Sequence, residues 1–315
     1  MHKKIITMTV SAFAVVPAFA QSSVTLYGTA DAGVGKTLVG GSGKTEMISG
    51  SLMNNSTSYI EFTGREDLGG GLNSGFDFGS NLNLKDGSNL TTGPGAGYWG
   101  RTSKIWLGGP WGTLQLGRTY NPAFLAMISW QLTMAANYSV VGNTYNWGGN
   151  GVRQNGLIDY RTPNFNGFSG DVSYIMKDNN IINGTGYARW DGAIRYSAGP
   201  VVAALSADKT DGSKTSYTLG GKYKFGQFSF ASSYNQSARN DALRRGFSLG
   251  GQGAFGAMTL TLDVTRDIKN DWNMRKYTNE LVEARYALSK RTFVYAAYLH
   301  LDGSGNYGVG LRHNF

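Results

Sequence analysis

In nearly every stretch between turns this chain alternates apolar and polar residues, and that pattern most restricts what it can fold into. The last segment shows it clearly. Tyr307, Val309, Leu311 and Phe315 share one face, and Gly308, Gly310, Arg312 and Asn314 share the other. Period two marks a β-strand with one apolar side. An aromatic on that side has little reason to face water at the end of a strand. It suits a strand whose apolar face meets lipid while its polar face meets a water-filled interior. The alternation recurs upstream: Phe168, Val172 and Tyr174 against Ser169, Asp171 and Ser173; Trp190, Ile194 and Tyr196 against Arg189, Asp191 and Arg195; Met258, Leu260, Leu262 and Val264 against Thr259, Thr261, Asp263 and Thr265. A soluble β-sandwich also alternates. Here the outward faces are apolar in nearly every strand, which leaves no polar exterior.

Unpaired backbone amides have no water to bond in lipid, so only helices and closed barrels span it. No run of 18 apolar residues follows the first twenty positions, so no transmembrane helix is available. The sheet must therefore close, with Val24–Gly28 expected to pair with the strand ending at Phe315. The composition agrees: 46 Gly, only 6 Pro, and many Tyr and Phe suit strands joined by tight turns. Short turns fall at Glu66–Gly71, Gly109–Gly112, Pro163–Gly167, Ala198–Pro200, Phe225–Gln227, Phe255–Ala257 and Leu288–Arg291. Longer connections fall near 35–56, 85–98, 120–152, 178–186, 209–214, 238–244, 269–278 and 302–305. Seven short turns alternating with eight longer loops join sixteen strands. This predicts an all-β, 16-stranded antiparallel transmembrane barrel, wide enough for an aqueous channel.

The first twenty residues read as a removable Sec-type signal peptide, and residues 21–315 as the barrel domain. Lys3 and Lys4 begin it, Ile5–Val16 is largely apolar, and Ala18-Phe19-Ala20 supplies the small residues of a cleavage site. Removing two lysines and no acid lowers the formal charge from +9 to +7. That balance favours anionic partners, while export steers the chain away from nucleic acid. The absence of cysteine excludes disulfides and thiolate metal sites.

The residues also resemble the general porins of β-proteobacteria, the trimeric outer-membrane porins of Burkholderia, Bordetella and Neisseria type. The resemblance rests on Ser23-Val24-Thr25-Leu26-Tyr27-Gly28, Glu66-Asp67-Leu68-Gly69-Gly70-Gly71-Leu72, Gly112-Thr113-Leu114-Gln115-Leu116-Gly117-Arg118, Arg153-Gln154-Asn155, Tyr160-Arg161-Thr162-Pro163, Tyr286–Thr292 and Gly310–Phe315. It implies a homotrimer in the outer membrane of a Gram-negative bacterium, among outer-membrane lipid and lipopolysaccharide. It implies a third loop folded into the lumen as a constriction, and Phe315 as the signal read by the barrel-assembly machinery. One departure lowers the constriction charge: Tyr59 stands where relatives often carry a basic residue, and the similar basic position of the fourth strand falls at Ser103 or Lys104.

Selectivity of a wide pore is set at its narrowest point. The third loop, Tyr120 to Val152, has no Asp, Glu, Lys or Arg, but carries Phe124, Trp130, Tyr138, Tyr145 and Trp147. Strand parity puts Arg153, Arg161, Arg189, Arg195, Lys222, Arg285 and Arg312 inward, against Asp159, Asp171, Asp191, Asp263 and Glu283. Arg153, which closes the loop and opens the sixth strand, leads the candidates for the constriction. Arg118 is second, but its parity matches Leu114 and Leu116, so it needs a bulge to turn inward. For each cation the alternative is an ion pair with a neighbouring strand, such as Arg161 with Asp159 or Asp171.

Other signals are weak. Gly40-Gly41-Ser42-Gly43-Lys44-Thr45 resembles the end of a phosphate-binding loop, but Leu38 stands where its first glycine belongs. Past the leader, only His300 and His313 remain, in no metal-ligand pattern. The expectation is a passive diffusion channel for small anionic or neutral solutes, moderately anion-selective, without cofactor, metal or catalysis. The alternatives are a sugar- or carboxylate-selective channel using the loop aromatics, a barrel enzyme, and a surface adhesin.

Overall fold

A computed structural model describes residues 22–89, 97–145 and 152–315. The expected leader lies outside these residues, as does Trp147. The described chain forms sixteen long antiparallel strands, β1 Ser23–Lys36, β2 Tyr59–Gly69, β3 Leu72–Asn81, β4 Thr102–Gly109, β5 Gly112–Tyr120, β6 Arg153–Arg161, β7 Phe168–Ile175 and β8 Arg189–Ala198 making up the first half. The second half is β9 Val201–Thr210, β10 Ser216–Phe225, β11 Phe228–Arg239, β12 Ala242–Phe255, β13 Met258–Asn270, β14 Thr278–Ala287, β15 Thr292–Leu301 and β16 Ser304–Asn314. Each strand pairs with its sequence neighbours, and β1 pairs with β16, so the sheet is closed.

Closure differs in register from the sequence expectation. Thr29–Lys36 of β1 pair with Asn314–Tyr307, and two backbone bonds of 3.0 Å join Gly28 to Phe315. Ser23–Tyr27 pair with β2 instead, and Gly28 and Thr29 bond on both edges. The stagger that closing a barrel demands carries the start of β1 past the end of β16. Two connections are also tighter than expected. The outer ends of β11 and β12 continue to Arg239 and Ala242, leaving only Asn240 and Asp241 between them. Between β15 and β16 stand Asp302 (φ 49°) and Gly303 (φ 83°), the left-handed pair that a two-residue hairpin requires.

The period-two pattern becomes two faces. Leu205, Leu219, Phe230, Leu249, Leu262, Val282 and Val309 lie exposed on the outside, and Ser206, Thr218, Ala231, Gly250, Asp263, Glu283 and Gly308 lie buried on the inside. Rings such as Trp111 and Tyr160, stacked 6.2 Å apart, ring the short-turn end of the apolar band. Among the described residues no helix is long and apolar enough to cross a membrane.

The third loop occupies the interior. Asn121 caps helix α1 (Pro122–Trp130) by accepting the Phe124 N–H at 2.8 Å, and Pro122 supplies a preset first turn. A shorter helix, α2, spans Val140–Tyr145. Helix α1 lies against β7–β10 and α2 against β11–β15, so the loop runs along half of the inner wall. Inward glycines make its seat. A Cβ at Gly220 would collide with the Trp130 indole, one at Gly246 with Tyr145, and one at Gly250 would stand 2.8 Å from Leu132. Hydrogen bonds fasten the loop: Ala123 N–H to Asp191 (3.0 Å), Gln252 to the Leu132 carbonyl (3.1 Å), Tyr138 to Glu283 (2.7 Å), and Thr144 with Thr265 (2.8 Å).

Candidate functional site: the lumen constriction

Because the third loop covers the β7–β15 wall, open space remains between its free face and the wall running from β16 through β1 to β6. A cavity of about 380 Å³ lies there. The loop side is lined by Phe124, Ile128, Met134, Ala135, Asn137 and Asn143, and the wall side by Asn55, Ser56, Tyr59, Arg101, Tyr120, Arg153 and Arg312. Three arginines and no carboxylate line this cavity among the described residues.

Each arginine is placed by a different local device. Arg153 begins β6 opposite Tyr120, the last residue of β5. It donates to the Tyr120 hydroxyl and lays its guanidinium 3.9 Å over the same ring. Tyr120 in turn stacks on Phe124 of α1 at 4.6 Å, so the loop helix and the β6 arginine share one aromatic prop. Arg101 comes from the connection just before β4. Its guanidinium sits 3.3 Å over the Tyr59 ring and reaches Glu61 at 3.3 Å. Arg312, inward on β16, donates to Asn55 (2.6 Å) and Asn314 (3.1 Å). A guanidinium stacked on a ring keeps its charge, unlike one held in a carboxylate fork; among the described residues Arg153 and Arg312 have no carboxylate within ion-pair distance, while Arg101 shares its charge with Glu61.

The first loop contributes as well. Asp31 of β1 accepts from Tyr295 (2.6 Å), Asn54 (3.1 Å) and the Ser56 N–H (2.8 Å), drawing residues 53–58 into the barrel. Asn55 also donates to Tyr138 at 2.7 Å, tying the first loop to the third. Burial, and then the adjacent Glu283 carboxylate, raise the Tyr138 phenol well above its ordinary range, so it stays protonated as a donor.

The other cations expected at the constriction lie elsewhere. Arg118 keeps to the outward face, across from Ser103. A bulge is present, but it belongs to β6: Asn155 and Gly156 together oppose Arg118, and Gly156 takes the left-handed φ of 60°. The parity of β5 is therefore unchanged at Arg118, which donates to the Gly100 carbonyl (2.6 Å) and Asn155 (2.7 Å). Arg161 is held by Asp159 at 3.0 Å with Asp171 at 3.8 Å, Arg195 by Asp171 at 2.7 Å, and Arg285 by Glu283 at 3.4 Å. Arg189 pairs with Asp208 at 2.9 Å and is buried beside a separate cavity of about 500 Å³ at the outer mouth. Lys222 is inward on β10 and does not line the constriction cavity. These cations are neutralised or remote: Arg161 and Arg285 meet acids two residues back on their own strands, Arg189 and Arg195 meet acids on adjacent strands, and Arg118 and Lys222 do not line the cavity. Three of the four described loop aromatics, Trp130, Tyr138 and Tyr145, face the wall and are fully buried, so only Phe124 reaches the cavity.

Sequence reasoning missed Arg101, Asn55 and Ser56. All three lie in connections, where strand parity gives no direction. A usable signal was present in the inward glycines of β10 and β12, which mark where the loop docks and hence which half of the wall stays open.

Residues 7–306 match the family model described as Gram-negative porin. The chain is 34% identical over 247 residues to outer membrane porin protein 32 of Delftia acidovorans, covering 72% of this chain and 67% of that protein. It is 31% identical over 192 residues to major outer membrane protein P.IB of Neisseria gonorrhoeae, spanning 59% of this chain and about half (52%) of that relative. Among solved structures, an anion-selective porin from Comamonas acidovorans superposes with a TM-score of 0.77 at 26% identity, covering 94% of this chain and 100% of that one. A loop-deletion mutant of Vibrio cholerae OmpT superposes with a TM-score of 0.71 at 12% identity over 93% of this chain and 99% of that one, a likeness of fold alone.

Proposed function

The chain belongs to the Gram-negative porin family, and from that premise we propose that it is an outer-membrane diffusion channel for small hydrophilic solutes with a moderate preference for anions. One observation carries the preference: Arg101, Arg153 and Arg312 line the gap beside a third loop that has no charge of its own. Positive groups in a narrow low-dielectric passage concentrate anions and thin out cations. Solutes cross hydrated and down their gradient, with size limited by the loop and charge biased by the three arginines. Catalysis has no part in this reading. The solved porin from Comamonas acidovorans, described as anion-selective, supports it. Burial of Trp130, Tyr138 and Tyr145 against the wall weighs against a sugar slide built from those rings.

The finer assignments belong to the same reading. Residues 1–20 direct export and are removed, three copies assemble, and the assembly machinery reads Phe315, whose ring lies over outward Gly28. Lipopolysaccharide is a partner. Arg245, Arg266 and Lys269 project outward at the loop end of β12 and β13, beside Arg275 and Lys276, where lipid phosphates would meet them. Neutralising Lys269, Arg275 and Lys276 together should reduce lipopolysaccharide carried through purification; undiminished carriage removes that patch from the account. The deciding experiment for the channel is the zero-current potential of the purified protein in a planar bilayer across a KCl gradient. A potential of the sign set by chloride supports the reading, and a cation-signed or zero potential overturns the preference.

A further inference from the structure

The constriction has two unlike sides, and that asymmetry says more than its charge. Across from the arginines, the accessible loop surface carries an apolar strip, Ile128, Met134 and Ala135, continued by Val152, beside the amides of Asn137 and Asn143. Met134 is 72% exposed, although it and Ala135 hold left-handed φ values of 49° and 65°. Such backbone is strained in non-glycine positions. The loop thus pays local strain to hold a thioether at the edge of a polar passage. On the wall, the cations are not bare. The Arg153 guanidinium lies 3.9 Å over the Tyr120 ring, which stacks in turn on Phe124 at 4.6 Å and an interplanar angle of 22°. Arg101 on Tyr59 forms a second such stack.

Resting on the anion-channel reading above, we propose that the constriction selects among anions for flat aromatic carboxylates. The carboxylate takes the remaining guanidinium N–H groups, Nη1 of Arg153 and Nη2 of Arg101 or Arg312. The ring lies along the guanidinium–tyrosine layers and turns its other side to Ile128 and the Met134 sulfur. A small inorganic anion uses only the first set of contacts. A saturated ring acid of equal charge uses the charge and the apolar area, but not the stacking or the sulfur–aromatic contact.

The test compares benzoate with cyclohexanecarboxylate as blockers of the KCl current through the full protein in a planar bilayer. Stacking of this kind lowers the half-blocking concentration of benzoate by about two- to tenfold relative to the saturated acid. Met134→Asn, which suits a left-handed position, should shrink that ratio, whereas Ile128→Ser, which removes only apolar area, should weaken both blockers alike. Arg153→Gln should weaken both blockers together. Equal half-blocking concentrations in the wild-type channel, with chloride preference intact, would overturn this inference alone. Loss of chloride preference in the wild-type channel overturns the reading beneath it.

Discussion

Replacing Arg153 by Gln removes one of the three charges facing the cavity. A sphere of the cavity's 380 Å³ has a radius of about 4.5 Å, which puts a passing ion about 6 Å from the guanidinium charge. In water a unit charge at that range is worth about 0.7 kcal/mol. Screening at about 0.1 M salt, where the Debye length is about 10 Å, leaves about 0.4 kcal/mol. The term acts on chloride and potassium with opposite signs, so the permeability ratio should fall about three- to fourfold for Arg153→Gln, and about tenfold for Arg153→Glu. At about 1 M salt the Gln effect should shrink below about 1.5-fold. Arg153→Lys should keep most of the preference, since it keeps the charge and loses the stack on Tyr120. Zero-current potentials at both salt concentrations measure this directly. An unchanged ratio at low salt, in a variant whose gel mobility before and after heating matches the wild type, would refute the placement of Arg153 in the ion path.

Three further substitutions probe the frame around that charge. Gly220→Val drives a side chain into Trp130 and should destabilise the loop by about 1–3 kcal/mol, seen as larger and noisier single-channel currents; quiet wild-type currents would mean that the indole is not seated there. Tyr138→Phe removes the hydroxyl that joins one buried Glu283 oxygen to the Asn55 amide, a cost of about 1–3 kcal/mol that should lower the unfolding temperature. An unchanged unfolding temperature would show that the loop is not anchored at that point. Arg118→Ala should leave the reversal potential unchanged, because Arg118 faces outward against Gly100 and Asn155; a shift would return it to the lumen.

The barrel was legible because lipid forces one decision per residue, in or out, and period two records that decision directly. Met258, Leu260 and Leu262 alternate with Thr259, Thr261 and Asp263 in sequence, and the same residues divide between the exposed and buried faces of β13. Strand ends were less legible. Asn240-Asp241 and Asp302-Gly303 sit in polar stretches that read as long loops, because the strands leaving the membrane no longer need an apolar face.

Charge was the least legible quantity, for a reason contained in the geometry. Parity gives the face of a side chain but not its cross-strand neighbour, and register decides whether an inward arginine such as Arg189 or Arg195 meets an acid on the next strand. Arg189 is neutral in effect because Asp191 pairs directly with Asp208 across β8 and β9, which brings Asp208 to 2.9 Å from its guanidinium. Counting seven inward cations against five inward acids therefore describes the wall without describing the field where ions pass. The field at the narrow point comes from arginines whose immediate supports are mainly rings and amides: Tyr120 for Arg153, Tyr59 for Arg101, Asn55 for Arg312. Among the described residues Glu61 is the one acid that ion-pairs with this set, through Arg101. Glu61→Gln should thus raise the chloride preference by freeing Arg101, while Asp171→Asn, acting on the paired Arg161 and Arg195 away from the cavity, should raise it less. The reverse order would place the selective step lower on the wall, among the ion pairs rather than at the loop.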